Sequence, residues 1–347
     1  MNMKEFDPND IGIANGNFFA LPYNVSESDI VLISVPWDVT TSYRDGTHKG
    51  PMAIMDASLQ VDLFDPLVPD AWETRIGTLK EEIVSQQENS RFRKIASQVI
   101  EELGEGADQK GLVQMTDSVN RASLQLNKSL YHKAKEYIGK GKIIGVVGGD
   151  HSVPLGAIKA VAEKYENFGI LHIDAHADLR KAYEGFRYSH ASIMYNSLNE
   201  IKNITALTQV GVRDFCQQEN DMIMTDPRIN CFTDSIIRKN SFDGGSFSDQ
   251  CKEIIATLPD NVYISFDIDG LSPGLCPNTG TPVPGGLSFR EADYLLWQLA
   301  TSGKRIAGFD LCEVSPSEND EWDANVGARI LFKLCIYTGL NLKSFNV

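Results

Sequence analysis

Four segments constrain this chain more tightly than the rest of it: KIIGVVGGDHS (142–152), FGILHIDAHAD (168–178), NVYISFDID (261–269) and RIAGFDLCEV (305–314). Each is a nearly continuous apolar run that ends in carboxylate or imidazole side chains. Apolar runs of this length, separated by stretches with helical spacing, read as strands of a parallel sheet covered on both faces. Such a sheet places its ligands beyond the carboxyl ends of the strands. The polar tails of the runs are therefore expected on one rim.

The rest of the chain keeps the same alternation. From Asp29, DIVLISVP reads as a strand, WDVTTSYRDGTHKGP as a long loop, and AIMDASLQVDLF as a helix. Within the less regular residues 66–110, KEEIVSQQENSRFRKIASQVIEEL reads as a solvated helix. Val119, Ala122, Leu126, Leu130, Ala134 and Ile138 recur at steps of three and four, which predicts an amphipathic helix over 116–139. Further helices are expected in VPLGAIKAVAEKY and near 190–198, 246–258, 288–302 and 323–338, with another strand in ALTQVGV and a short segment CFTD. The expected fold is α/β: a single three-layer domain over 29–347 with a mostly parallel central sheet flanked by helices. Residues 1–28, polar with scattered Gly, Asn and Pro, read as an irregular N-terminal arm.

Composition narrows the function classes. A net charge of −15 argues against a nucleic-acid partner, which needs clustered Lys and Arg to replace counterions. The six cysteines show no CxxC spacing, so reduced thiols are expected rather than disulfides or a zinc cluster. No apolar run approaches the roughly 20 residues that span a bilayer, and MNMKEFDPND has no apolar signal core. A cytoplasmic protein with no membrane partner is expected.

The chemistry lies in the strand tails. His151, Asp174, His176, Asp178, Asp267 and Asp269 all fall just past a predicted strand end. In DAHAD and DID the polar residues recur at every second position, which in extended chain places them on one side. Four converging carboxylates are too much charge to bury without a cation. Two divalent ions would neutralise them, and carboxylate ligation with some His favours Mn²⁺ or a similar octahedral ion over structural zinc. Two ions about 3.5–4 Å apart can hold one hydroxide between them at neutral pH.

GGDHS, DAHAD, SHAS, SFDIDGLSP with GTPVPGG, and FDLCEVSP together, in this order, closely resemble the ureohydrolases, the arginase and agmatinase group, from about Val31 to the C-terminus. The resemblance implies two Mn²⁺ per chain, with Ni²⁺ as the alternative. It assigns His151, Asp174, Asp178 and Asp267 to the first ion and Asp174, His176, Asp267 and Asp269 to the second. It also makes His190 a proton shuttle and Glu313 the carboxylate that grips the guanidinium. The implied reaction is attack of a metal-bridging hydroxide on the guanidinium carbon, collapse with Asp178 relaying a proton, and release of an amine and urea. The partners implied are a small cationic guanidino substrate and copies of the same chain, as a trimer or hexamer.

The loop LRKAYEGFRY after DAHAD resembles agmatinases rather than arginases, so agmatine is the expected substrate. PWDVTTSY and YEGFRYSHASIM also resemble the nickel-dependent guanidine hydrolase, and WDVTTSYRDGTHKG departs from the usual agmatinase loop, which keeps guanidine or a guanidino acid as alternatives. Trp37 and Tyr43 either narrow the pocket or pack in the core. Formimidoylglutamases typically lack a counterpart of His190, and the zinc deacetylases of the same fold lack the second-ion set. His172, inside a strand, reads as a core or supporting histidine, and the glycines of VVGGDHS as tight backbone packing rather than a phosphate cradle.

Overall fold

The computed structural model describes residues 6–345, so the first five residues of the arm and the last two of the chain lie outside it. Eight strands form one sheet: β1 (Ile30–Val35), β2 (Ile76–Thr78), β3 (Ile143–Gly148), β4 (Phe168–Ile173), β5 (Ile204–Val210), β6 (Ile229–Phe232), β7 (Asn261–Asp267) and β8 (Arg305–Cys312). Their order is β2-β1-β3-β8-β7-β4-β5-β6 and every pairing is parallel. The sheet is thus entirely parallel, and the expected three-layer α/β architecture is borne out.

Among the described residues ten helices cover it: α1 (Gly50–Ser58), α2 (Gln86–Gly104), α3 (Val113–Gly139), α4 (Leu155–Ala162), α5 (Ile193–Glu200), α6 (Gln217–Thr225), α7 (Asp234–Phe242), α8 (Phe247–Ala256), α9 (Phe289–Ala300) and α10 (Trp322–Phe345). The apolar stripe read from the sequence buries Val119, Leu126, Leu130 and Ala134 of α3 against Val31, Ile33 and Val146 of β1 and β3. On the other face α1 meets β3 and α10 meets β8 and α9, with Ile264, Phe266, Phe309, Leu295 and Leu331 in one cluster. Burying each such side chain contributes about 1.5–3 kcal/mol, so the α3 stripe alone outweighs the weak propensity of its polar residues.

Three elements escape the sequence reading for physical reasons. Strand β2 is three residues long at the sheet edge, too short to show a period. Helices α6 and α7 each bury a single side chain, Glu219 and Ile237, so neither carries an apolar stripe. Helix α1 begins at Gly50, with Pro51 in its first turn, ahead of the expected Ala53, and stops at Ser58. The stretch 6–28 holds one 3₁₀ turn, and its Phe18, Phe19 and Leu21 are buried in the main core. Among the described residues no helix is long and apolar enough to cross a membrane.

Candidate metal centre

The carboxyl ends of β3, β4, β7 and β8 deliver the site. Past β3, Gly149 runs so close to the backbone of Trp37 that a Cβ would lie 2.0 Å from its carbonyl oxygen. The glycine is there for that contact, as tight packing requires, and the approach sets His151 at the rim. Past β4, DAHAD places Asp174, His176 and Asp178 around one pocket. At the end of β7, Asp267 Oδ1 accepts from the Asp269 N–H at 2.8 Å, so Asp267 caps the 3₁₀ turn that carries Asp269.

All six residues expected at the metals come together. His151 Nδ1 lies 3.0 Å from Asp174 Oδ2, 3.3 Å from Asp178 Oδ2 and 3.2 Å from Asp267 Oδ2. His176 Nδ1 lies 3.2 Å from Asp269 Oδ2 and 3.4 Å from Asp174 Oδ1. Asp174 therefore faces both groups, one oxygen to each. Donor atoms of His151, His172, Asp174 and Asp178 fall within 4.8 Å of one another, as do those of Asp174, His176 and Asp269 and those of His151, Asp310 and Cys312.

The hydrogen-bond pattern tests whether cations fit. Ser265 Oγ donates to Asp310, at 3.0 and 3.2 Å from its two oxygens, so it accepts from His151 Nε2–H at 2.9 Å. The lone pair of Nδ1 is then turned toward three carboxylate oxygens. Four such acceptors can share one space only around a cation. In the metal-free protein a proton plays that part: burial opposes charge on His151 and His176, but the surrounding carboxylates raise both well above the ordinary range. Nitrogen and oxygen donors without a participating thiolate fit a pair of hard divalent ions.

The carboxylates are tuned apart. Burial, then Asp269 and Asp174, push Asp267 well up. Asp178 is pushed up to about 6 by burial first and Asp174 second. For Asp174 burial also opposes ionisation, yet His172, His151 and His176 hold it well below the ordinary range. Asp178 and Glu313 adopt φ of +53° and +64°, left-handed conformations that cost non-glycine residues about 1–3 kcal/mol each.

Glu313 follows β8. Its Oε1 accepts from His151 N–H at 2.9 Å, while Oε2 is buried with no partner among the described residues. Burial, then Asp150, push it well above the ordinary carboxylate range. A Cβ at Gly280 would come within 3.2 Å of Oε2, so the glycine leaves that oxygen its space. His190 is lowered to about 4 by burial and then by His176, which leaves it neutral at pH 7. Its backbone N–H donates to Thr40 Oγ1 at 3.1 Å, and that hydroxyl donates to Asp150 at 3.0 Å.

A cavity of about 430 Å³ opens over this cluster, lined by His176, Asp178 and His190 at its floor. Tyr43 and Arg44 of one loop, Arg180 and Tyr183 of another, and Asp214 also line it. The two aromatics weighed from the sequence divide: Trp37 is buried beside Phe92, with ring centroids 6.1 Å apart, whereas Tyr43 is 70% exposed at the mouth. Thr40, Asp150, Ser265 and Asp310 support the site but were not singled out as functional. Their signal was polarity inside or beside apolar strands.

The model of the arginase family matches residues 28–337. The chain belongs to the arginase family. It is 29% identical over 327 residues to the N(1)-aminopropylagmatine ureohydrolase of Thermus thermophilus, covering 94% of this chain and 93% of that one. With the agmatinase of Cronobacter sakazakii it shares 29% over 300 residues, 86% of this chain and 82% of the other. The agmatine ureohydrolase structure from Thermoplasma volcanium superposes with a TM-score of 0.72, at 22% identity over 96% and 97% of the two chains, which establishes the shared fold. As a member of this family the chain is a metal-dependent amidinohydrolase.

Proposed function

We propose that this arginase-family chain hydrolyses agmatine to urea and an amine. The observation that carries the reading is the convergence of His151, Asp174, His176, Asp178, Asp267 and Asp269, of which His176 and Asp178 line the cavity, with Glu313, its Oε2 unpartnered among the described residues, hydrogen-bonded to the His151 N–H. His151, Asp174, Asp178 and Asp267 would hold one ion, and Asp174, His176, Asp267 and Asp269 the other. Mn²⁺ is the first choice and Ni²⁺ the second, since both accept these donors. When bound, the pair supplies a nucleophile near neutral pH by acidifying water.

The chain's own residues do the rest. Glu313 orients the guanidinium and offsets its charge, as a resonance-stabilised cation beside metal cations requires. Asp178 carries a proton toward the leaving nitrogen as the tetrahedral centre collapses. His190, neutral and at the cavity floor, exchanges that proton with solvent. Asp214, exposed and with no side-chain partner among the described residues, lines the part of the cavity that would receive the distal ammonium of agmatine.

A second reading has its own observation. Arg44 stacks on Tyr43 with 5.3 Å to the ring centroid, and Arg180 on Tyr183 with 4.7 Å, which places two cations and two aromatics at the mouth. Such a mouth suits a smaller substrate without a second cation, and free guanidine with Ni²⁺ is that alternative. Urea release by protein loaded with Mn²⁺ or Ni²⁺, across agmatine, arginine, guanidinobutyrate, guanidinopropionate and guanidine, separates the two. The same preparation reports whether the chain forms the expected trimer or hexamer.

A further inference from the structure

His172 is the penultimate residue of β4, fully buried, and β5 sets Gln209 opposite it in register. Gln209 Nε2 is 2.8 Å from the carbonyl oxygen of Ala177 and 2.9 Å from His172 Nδ1. The amide can face that carbonyl only with its NH₂ side, because the reverse orientation would set two acceptors against each other. Its second N–H then points at His172 Nδ1, which must accept. The only ring proton left is on Nε2, 2.8 Å from Asp174 Oδ2.

We propose that Gln209 locks His172 in its Nε2–H tautomer, so that His172 acts as a positioning residue that donates to Asp174 and fixes the carboxylate facing both metal groups. The proposal rests on the binuclear reading of the site. A protonated Nε2 cannot ligate a cation, so the lock also keeps His172 out of the ligand set although it lies within reach of it. The second hydrogen bond of Gln209, to Ala177, holds the backbone between His176 and Asp178. One amide thus sets both the shared carboxylate and the loop that carries its neighbours. Partners of this kind typically change metal affinity by about 10–100-fold when lost.

The test compares the full-length chain with Gln209→Glu and Gln209→Met. Glutamate has the same shape but only accepts, so it draws the ring proton to Nδ1, whereas Met removes the lock without adding charge. Selective ¹⁵N-histidine NMR on metal-free protein reads the tautomer, and metal titration by competition with a chelator reads affinity and stoichiometry. The expected result is an Nε2–H signal for His172 in the parent and Nδ1–H in Gln209→Glu. Mn²⁺ affinity should be about 10–100-fold weaker in both variants, with two ions still bound at saturation. An Nδ1–H tautomer in the parent, or unchanged affinity in both variants, overturns the lock. A third variant, His172→Asn, that saturates at one ion would make His172 a ligand and overturn the proposal as well. A parent that never binds two ions refutes the binuclear reading instead, and the NMR result distinguishes the cases.

Discussion

His151 Nδ1 and Asp267 Oδ2 lie 3.2 Å apart although β3 and β7 are not neighbours, with β8 between them in the sheet. The contact spans a strand because His151 lies past the end of β3 and Asp267 is the last residue of β7, where side chains can lean across the rim. Asp267 is also pinned by the Asp269 N–H, so it meets His151 in one geometry. Asp267→Asn keeps the shape and the hydrogen bond from Asp269 but removes the charge. Urea formation should fall by at least about a thousandfold, the equivalent of several kcal/mol of lost cation-based stabilisation. Metal content by atomic emission should fall with it. Near-normal turnover would remove Asp267 from the cluster.

His190 touches Ser42 and Ser189 rather than the carboxylates, with Nε2 and Nδ1 at 3.4 and 3.3 Å from the two hydroxyls. A proton carrier at that position is separable from metal binding. His190→Ala is expected to lower kcat by about 10²–10⁴-fold while two ions per chain remain. If the variant lost an ion instead, His190 would be a ligand.

The metal-free cluster holds protons that cations must displace. Asp178 is raised from its ordinary value to about 6, so between that value and the ordinary carboxylate range the metal-free fold binds a proton that the unfolded chain does not. This term therefore makes the metal-free protein more stable as pH falls through 6, and less stable above it. Added metal relieves the penalty only where Asp178 is ionised. The thermal shift on adding Mn²⁺ should be larger at pH 8 than at pH 5, because protons on His151, His176 and Asp178 all compete with the metal. A pH-independent shift would contradict the cluster's protonation.

The loop at 36–51 is fastened by a different acid. Buried Asp38 accepts from His48 Nδ1 at 2.6 Å, Asn89 Nδ2 at 2.8 Å and Gly46 N–H at 2.8 Å. Burial opposes its ionisation, but these donors, His48 first, bring it down to about 2. A lowered carboxylate contributes stability that is fully present above the unfolded value and is lost as pH falls through the folded one. Asp38→Asn should cost about 2 kcal/mol in urea unfolding at pH 7. The deficit relative to the parent should hold down to about pH 4 and shrink toward about pH 2. A constant deficit over that range would show that packing, not charge, fastens the loop.

What could be read from the residues alone follows from the period of each element. The strands of the sheet centre are buried on both faces, so they appear as apolar runs, and α3 shows its stripe because one face alone meets the sheet. The six ligand candidates were legible because they end those runs. Asp310, Ser265 and Gln209 were harder: they are polar residues inside the runs, and one strand gives no hint of what stands opposite, so His172 could be read as a supporting histidine but not matched to its partner. Each has its partner on another strand, as His172 has Gln209, and strand order is not written in any local pattern. Arg44 and Arg180 became neighbours of the site only through two loops whose conformation depends on distant anchors such as Asp38.

Glu313 sets function against stability. Its Oε2 is buried without a partner among the described residues, and burial followed by Asp150 raises it well above the ordinary range. A carboxylate raised in the fold gives stability at low pH that is lost as pH rises above its ordinary range. Glu313→Gln keeps an acceptor for His151 N–H and removes the charge. The melting temperature of the substrate-free, metal-free protein at pH 8 should therefore rise. The same change removes the counter-charge for the guanidinium, and a lost charge-assisted hydrogen bond is worth about 1.5–3 kcal/mol. kcat/KM should fall by about 10–100-fold, mainly through KM, with both ions retained. A structural role alone would lower stability and leave KM unmoved, the opposite on both axes.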